Sequence, residues 1–228
     1  MAEHQGLFDG VEAVLFDLDG TLVETDNRWA ANIEDRLRPL QKVFPWLDPH
    51  ALARWLVMAI ETPSNYVIWA LERVGLDSPL LGLADHVRRS KGLATREGSE
   101  AVKESRELLE DLQGRYKLAV VTTRARPEAH AFLEQLGLAA FFQVVITRQD
   151  VLHLKPHPEP VRLAAQRLHV SPERCIMVGD TVPDVRAARR AGAWAVGVLS
   201  GFGERAEIER AGAHLILDRA ALLALYLP

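Results

Sequence analysis

Residues 11–21 read VEAVLFDLDGT. This stretch begins as a short apolar run of the length of a buried strand and stops at Asp17, ahead of a tight turn at Gly20. Similar apolar runs recur after Gly98, and each alternates with a segment of helical spacing. Short strands that alternate with helices form a parallel sheet with helices on both faces. We therefore predict an α/β protein with a Rossmann-like parallel sheet.

The region after Gly98 supplies most of the predicted elements. Strands are predicted at 117–121, 143–146, 174–178, 195–199 and 214–217, and helices at 101–112, 127–136, 159–168, 182–191 and 219–226.

The region from about 26 to 95 has a different character. It lacks strong strand runs, shows helical spacing, and is divided by prolines into roughly four helices. We predict a small all-helical cap domain at 24–96, inserted into an α/β core formed by 1–23 and 97–228.

Composition restricts the class of protein. The chain has 228 residues, 48% of them hydrophobic and 25% charged, as in ordinary globular proteins. A net charge of −4 argues against a nucleic-acid binder, and the apolar stretches are too short to span a membrane. The single cysteine, Cys175, cannot form an internal disulfide, and its apolar neighbours predict a buried side chain. We expect a cytoplasmic protein; monomer and homodimer both stay open.

Polar side chains follow several of the predicted strands. Asp17 and Asp19 are two residues apart, so both carboxylates can face one side of an extended segment. Thr122 follows the second strand, and Asp180 the fourth, with Asp184 at the start of the next helix. Lys155 stands next to Pro156, which presents it from a stiff segment. In parallel sheets, ligands bind beyond these strand ends.

Each of these features also has a structural explanation. Thr122 could form a turn, and Asp184 could do no more than cap its helix. His153 and His157 are four residues apart, but the prolines at 156 and 158 make a regular helical turn unfavourable, so we reject a helical His-x-x-x-His metal site.

Taken together, the motifs resemble the haloacid dehalogenase superfamily, and its phosphoglycolate phosphatase-like branch in particular. The four motifs of that family are matched by DLDGT at 17–21, by Thr122, by Lys155 with Pro156, and by Gly179-Asp180 with Asp184. The predicted helical insert is similar to the helical cap of that family.

The resemblance implies a phosphatase that acts on a small phosphorylated metabolite with Mg²⁺ as its cofactor. It makes Asp17 the nucleophile and Asp19 the general acid and base, with Thr122 and Lys155 completing the catalytic set. The implied metal ligands are Asp17, the backbone carbonyl of Asp19, Asp180 and Asp184. The residues expected to face the substrate are Gly20, Thr21, Thr123 and Arg124.

Two alternatives stay open at this stage. Sugar-phosphate mutases of the same superfamily keep both aspartates, so the motifs do not separate them from phosphatases. A catalytically idle member that serves as a binding module is the other alternative, although no motif residue is missing. Dehalogenases are disfavoured because they typically lack a carboxylate at the position of Asp19.

Overall fold

The computed structural model describes residues 7–23, 35–39, 44, 49 and 100–228. The chain divides into two compact units, one of Met1–Thr25 with Arg96–Pro228 and one of Asp26–Thr95. The predicted helical cap at 24–96 lies almost wholly outside the described residues, so its helical nature stays a prediction.

The first unit contains a parallel sheet of six strands. The strands are β1 (Ala13–Phe16), β2 (Lys117–Val121), β3 (Val144–Ile146), β4 (Cys175–Gly179), β5 (Trp194–Val198) and β6 (Leu215–Leu217). They lie in the order β3-β2-β1-β4-β5-β6, and every neighbouring pair is parallel. This arrangement confirms the predicted α/β fold.

Five α-helices accompany the sheet within the described residues. They are α1 (Glu100–Leu112), α2 (Arg126–Gln135), α3 (Glu159–Arg167), α4 (Val182–Ala191) and α5 (Arg205–Ala211). Buried residues of α1 and α2 join those of the strands in one apolar cluster, and α3, α4 and α5 also contact strands of the sheet.

The centre of the sheet is the most deeply buried part of the core. All residues of β1 and β4 are buried, as expected for strands covered on both faces. The strand order reverses between these two strands, because β2 and β3 lie on one side of β1 and β5 and β6 on the side of β4. In open α/β sheets such a reversal creates a crevice at the carboxyl ends of the strands, and this is where ligands bind.

Two elements go beyond the prediction. Helix α5 was not predicted, because Arg205–Ala211 is mostly polar and buries only Ile208, which leaves little apolar periodicity. The closing segment Ala220–Tyr226, predicted as a helix of unspecified type, is a 3₁₀-helix. Its buried residues, Ala220 and Leu223, are three apart, which matches three residues per turn.

Cys175 is buried in β4, as predicted. Burial raises the pKa of its thiol to about 12, with the nearby carboxylates of Glu12 and Glu173 adding to the effect. Its side chain therefore behaves as a small apolar group. No helix in the described part of the chain is long and apolar enough to cross a membrane.

Candidate active site

The carboxyl ends of the central strands bring three predicted site residues to one edge of the sheet. Asp17, Thr122 and Asp180 directly follow β1, β2 and β4. Backbone hydrogen bonds extend the sheet through this edge: the Asp17 amide donates to Val178 O (2.8 Å) and the Thr122 amide to Ile146 O (2.9 Å). The positions of these side chains are thus fixed by the sheet rather than by a loose loop.

Lys155 reaches the same edge from the segment that follows β3. Its Nζ lies 2.7 Å from Asp17 Oδ1 and 2.5 Å from Asp184 Oδ1, and it donates a 3.0 Å hydrogen bond to Val121 O. Burial alone would lower the pKa of Lys155, but the charges of Asp17 and Asp184 outweigh it and raise that pKa above its ordinary value. Lys155 is therefore a fixed positive charge between two carboxylates.

Asp17, Asp180 and Asp184 form a cluster of buried carboxylates. One oxygen of each lies within 4.8 Å of the others. Burial, together with the charges of Asp184 and Asp19, raises the pKa of Asp17 to about 7, although Lys155 opposes this rise. Burial, followed by the charges of Asp17 and Asp184, raises the pKa of Asp180 well above its ordinary value. Three acidic groups share one lysine, so the cluster has an excess of negative charge.

A hard divalent cation fits this donor set. Carboxylate oxygens are the ligands that Mg²⁺ prefers, and Mg²⁺ commonly takes only a few from the protein. The pKa values of Asp17 and Asp180 are raised first by burial and then by repulsion between the carboxylates, and a bound cation would offset both effects. Asp17, Asp180 and Asp184 are the side chains that could hold it.

Asp184 caps the start of α4 and also contacts Lys155. Its Oδ2 accepts hydrogen bonds from the Thr181 amide (3.1 Å) and the Thr181 hydroxyl, which completes a capping box at the start of α4. Its Oδ1 faces Lys155 instead. These capping hydrogen bonds orient the Asp184 carboxylate toward the cluster. Asp184 can therefore cap its helix and contribute to the site at the same time.

Asp19 lies beside the cluster and is paired with Arg124. The Arg124 guanidinium donates to both carboxylate oxygens, from Nε to Oδ2 (2.8 Å) and from Nη2 to Oδ1 (2.6 Å). The guanidinium carbon also lies 4.1 Å from the centre of the Phe132 ring. Arg124 was predicted to face the substrate, and in this structure it holds Asp19.

The turn after β1 brings the backbone close to Asp180. Gly20 has a positive φ of 78°, and a Cβ there would collide with the Asp180 carboxylate, so glycine is needed on both counts. Thr21 Oγ1 lies 3.5 Å from Asp180 Oδ1. Thr21 thus contacts a carboxylate of the buried cluster in this structure.

The two threonines that follow β2 differ in burial. Thr122 is buried, and its Oγ1 accepts a 3.1 Å hydrogen bond from the Arg124 amide, so the predicted turn role is present. Its predicted place in the catalytic set stays a prediction. Thr123 is half-buried at the same edge.

The segment 200–203 is part of the site and was not predicted. This segment, which follows β5, packs against Asp180: the Phe202 amide donates to Asp180 Oδ2 (2.8 Å), and the Ser200 hydroxyl donates to Gly20 O (2.7 Å). A Cβ on Gly201 would overlap the Asp180 carboxylate. The sequence does contain a signal for this segment: it includes glycines and follows a parallel strand, as the other site residues do. That position could have indicated a place in the site.

Comparison with known proteins identifies the family. The family model for haloacid dehalogenase-like hydrolases matches residues 14–198. The chain belongs to this family of hydrolases, and the motifs of its site lie within the matched residues. The resemblance stated from the sequence is therefore confirmed, and the chain is an enzyme.

Individual relatives are similar over most of their length. Pyrophosphatase PpaX of Bacillus velezensis is 34% identical over 82% of this chain and 83% of the relative. Phosphoglycolate phosphatase of Escherichia coli is 29% identical over 86% of this chain and 84% of the relative. Among solved structures, a hydrolase of this family from Deinococcus radiodurans, with bound phosphate and sodium, has a TM-score of 0.64 and 27% identity, covering 95% of each chain.

Proposed function

We propose that this enzyme is a Mg²⁺-dependent phosphatase that hydrolyses a small phosphomonoester through an aspartyl-phosphate on Asp17. The observation that carries the proposal is the contact between Asp17 Oδ1 and Lys155 Nζ, at 2.7 Å, within the buried carboxylate cluster. A carboxylate that attacks an anionic phosphoryl group needs positive charge close by. Lys155 provides one such charge, and a Mg²⁺ ion held by Asp17, Asp180 and Asp184 would neutralise the phosphoryl oxygens.

The proposed reaction has two balanced steps. In the first, an Asp17 carboxylate oxygen bonds to phosphorus while the bond from phosphorus to the leaving oxygen breaks, and Asp19 gives that oxygen a proton. In the second, a water oxygen bonds to the phosphorus of the aspartyl-phosphate while the bond from phosphorus to the Asp17 oxygen breaks, and Asp19 takes a proton from the water. Phosphate leaves, and Asp17 and Asp19 return to their starting states.

The relatives support this reaction class. Two of them are named as a pyrophosphatase and a phosphoglycolate phosphatase, and a third holds phosphate in its solved structure. The names of the pyrophosphatase and the phosphoglycolate phosphatase both describe transfer of a phosphoryl group to water, but they specify different substrates. We propose a small phosphorylated metabolite as the substrate class, without choosing among them.

The deciding experiment is phosphate release from a panel of substrates by wild type and Asp17→Asn. The panel contains phosphoglycolate, several sugar phosphates, nucleoside monophosphates and inorganic pyrophosphate, each with Mg²⁺ and with EDTA. Asp9→Asn is the matched control, because Asp9 is an exposed aspartate outside the site. We expect release that needs Mg²⁺, persists in Asp9→Asn and is lost in Asp17→Asn.

The other outcomes separate the alternatives. Isomerisation of a sugar phosphate without net phosphate release would identify a mutase and contradict the proposal. No turnover of any substrate by a folded, Mg²⁺-binding wild type would favour a binding module instead.

A further inference from the structure

A second group of metal-binding side chains lies on the segment between β3 and α3. It consists of His153, His157 and Glu159, which offer ligand atoms within 4.8 Å of one another. His153 Nδ1 lies 2.8 Å from Glu159 Oε2, and His157 Nδ1 lies 3.9 Å from the same oxygen. The centres of the two imidazole rings are 4.4 Å apart.

A turn, and not a helix, brings the two histidines together. The His157 amide donates to Leu154 O (2.9 Å), and α3 begins only at Glu159. The prolines therefore prevent a helical arrangement, as the sequence analysis stated. The turn nevertheless places both rings beside Glu159, and this proximity could not be deduced from the spacing alone.

The separations between these atoms suit a tetrahedral metal ion. Zinc bonds to histidine nitrogen and carboxylate oxygen are about 2.0–2.2 Å long, which places neighbouring ligand atoms roughly 3.4 Å apart. The two separations from Glu159 Oε2, 2.8 and 3.9 Å, lie on either side of this value. His157 Nδ1 accepts a 3.2 Å hydrogen bond from the Glu159 amide, and a rotation of this ring would free the nitrogen for a metal ion.

We propose that His153, His157 and Glu159 bind one transition-metal ion of the Zn²⁺ class, at a site separate from the carboxylate cluster. Two imidazoles with one carboxylate and open positions for water form a zinc-type donor set, whereas Mg²⁺ prefers oxygen ligands. The two histidine side chains are 60% and 47% exposed, so an ion can reach them from solvent.

Glu159 is already oriented for such a role. Its Oε1 accepts from the Leu152 amide (2.7 Å) and its Oε2 from the His153 amide (3.0 Å), so the carboxylate is fixed against the turn. Oε2 also pairs with His153 Nδ1 at 2.8 Å, and a metal ion would take the place of this contact while both amide hydrogen bonds stay. Backbone contacts of this kind orient a metal ligand in advance.

The site would also act on the segment that carries Lys155. Lys155 lies between the two histidines in sequence, and its Nζ contacts Asp17 and Asp184. A metal ion that ties His153 to His157 would hold the turn on both sides of Lys155. We therefore expect metal binding here to stabilise the folded enzyme even when the carboxylate cluster is altered.

Co²⁺ is the probe for this site, because its visible absorption reports coordination by histidine. The full-length enzyme is titrated with Co²⁺ in excess Mg²⁺, so that Mg²⁺ competes with Co²⁺ for the carboxylate cluster. The variants are His153→Gln and His157→Gln, with His130→Gln as the control, since His130 is an exposed histidine on α2. Asp180→Asn tests separation from the carboxylate cluster.

We expect one Co²⁺ ion per chain in wild type, His130→Gln and Asp180→Asn, with the absorption lost in His153→Gln and His157→Gln. Zn²⁺ should displace the Co²⁺ signal and raise the Tm of the same three proteins only. An absorption that is absent in wild type, or unchanged in His157→Gln, would overturn the proposal. Loss of the signal in Asp180→Asn would assign the ion to the carboxylate cluster, and this also overturns it.

Discussion

The Arg124 guanidinium holds the Asp19 carboxylate by two parallel hydrogen bonds, of 2.8 and 2.6 Å. The Arg124 side chain is 11% exposed and the Asp19 side chain 31%, so the pair is partly shielded from water. Such bidentate pairs fix orientation as well as charge. In the proposed mechanism, Arg124 is therefore a positioning residue for the general acid and base.

Replacing Arg124 should weaken proton transfer to the leaving group. For Arg124→Met we expect kcat/KM to fall by roughly 10- to 100-fold with an alkyl phosphate, as part of the 10²- to 10⁴-fold that general acid catalysis contributes. The fall should be smaller with p-nitrophenyl phosphate, whose leaving group needs no proton. Steady-state kinetics with both substrates measure the difference.

The control for this change is Arg126→Met, because Arg126 is an exposed neighbour that pairs with Asp150 instead. Arg124→Lys should give an intermediate loss, since lysine keeps the charge but not the fork of two donors. Equal losses for the alkyl and aryl substrates would show that Arg124 does not act through proton transfer.

Removing Lys155 should destabilise the metal-free enzyme. Lys155→Met leaves Asp17 and Asp184 without their shared cation, and loss of one partner of a buried ion pair costs about 3–5 kcal/mol. Urea unfolding in EDTA measures the free energy of unfolding. Mg²⁺ should restore part of it, because the ion neutralises the same carboxylates.

Lys117→Met is the matched control for Lys155. Lys117 Nζ donates to a single carbonyl, Leu168 O (2.7 Å), and a hydrogen bond of this kind contributes about 1 kcal/mol. If the free energy of unfolding fell equally in the two variants, the ion pairs of Lys155 would contribute no more than a single hydrogen bond.

Mg²⁺ affinity should rise with pH through neutrality. The pKa of Asp17 is raised to about 7, so below that pH a proton occupies a group that Mg²⁺ needs ionised. We expect the affinity to fall about tenfold per pH unit below about pH 7 for each proton displaced. Calorimetric titration across this range measures it, and a flat profile would contradict the raised pKa.

The metal-free enzyme should become less stable over the same range. The folded-state pKa of Asp17, about 7, lies above its ordinary value of 3.8, so the unfolded chain releases this proton first as the pH rises. The stability contributed by protonated Asp17 is therefore present at low pH and lost between about pH 4 and 7, by at most about 1.4 kcal/mol per pH unit. Urea unfolding in EDTA checks this, and the slope should decrease in Asp17→Asn.

Asp180→Asn should separate metal binding from folding. The variant removes one of the repelling carboxylates, so the Tm in EDTA should equal or exceed that of wild type. Added Mg²⁺ should raise the Tm of wild type but have little effect on the variant. A Tm in EDTA several degrees below that of wild type would mean that the contact of Asp180 with the Phe202 amide outweighs the repulsion.

The sequence alone was sufficient for the sheet and for the family. Strand β2 and helix α4 begin and end at the predicted residues, because short apolar runs and clear helix stops are local signals. The motifs around Asp17, Thr122, Lys155 and Asp180 could be placed at one sheet edge, because parallel strands end on the same side.

The pairing of the side chains, in contrast, depends on the tertiary structure. The contacts of Asp19 with Arg124, of Asp180 with Phe202, and of His153 with His157 join residues whose spacing along the chain carries no periodic signal. Each depends on turns and rotamers that are fixed by packing around the sheet. A local pattern determines which element a residue belongs to, whereas a contact between elements depends on how the whole core closes.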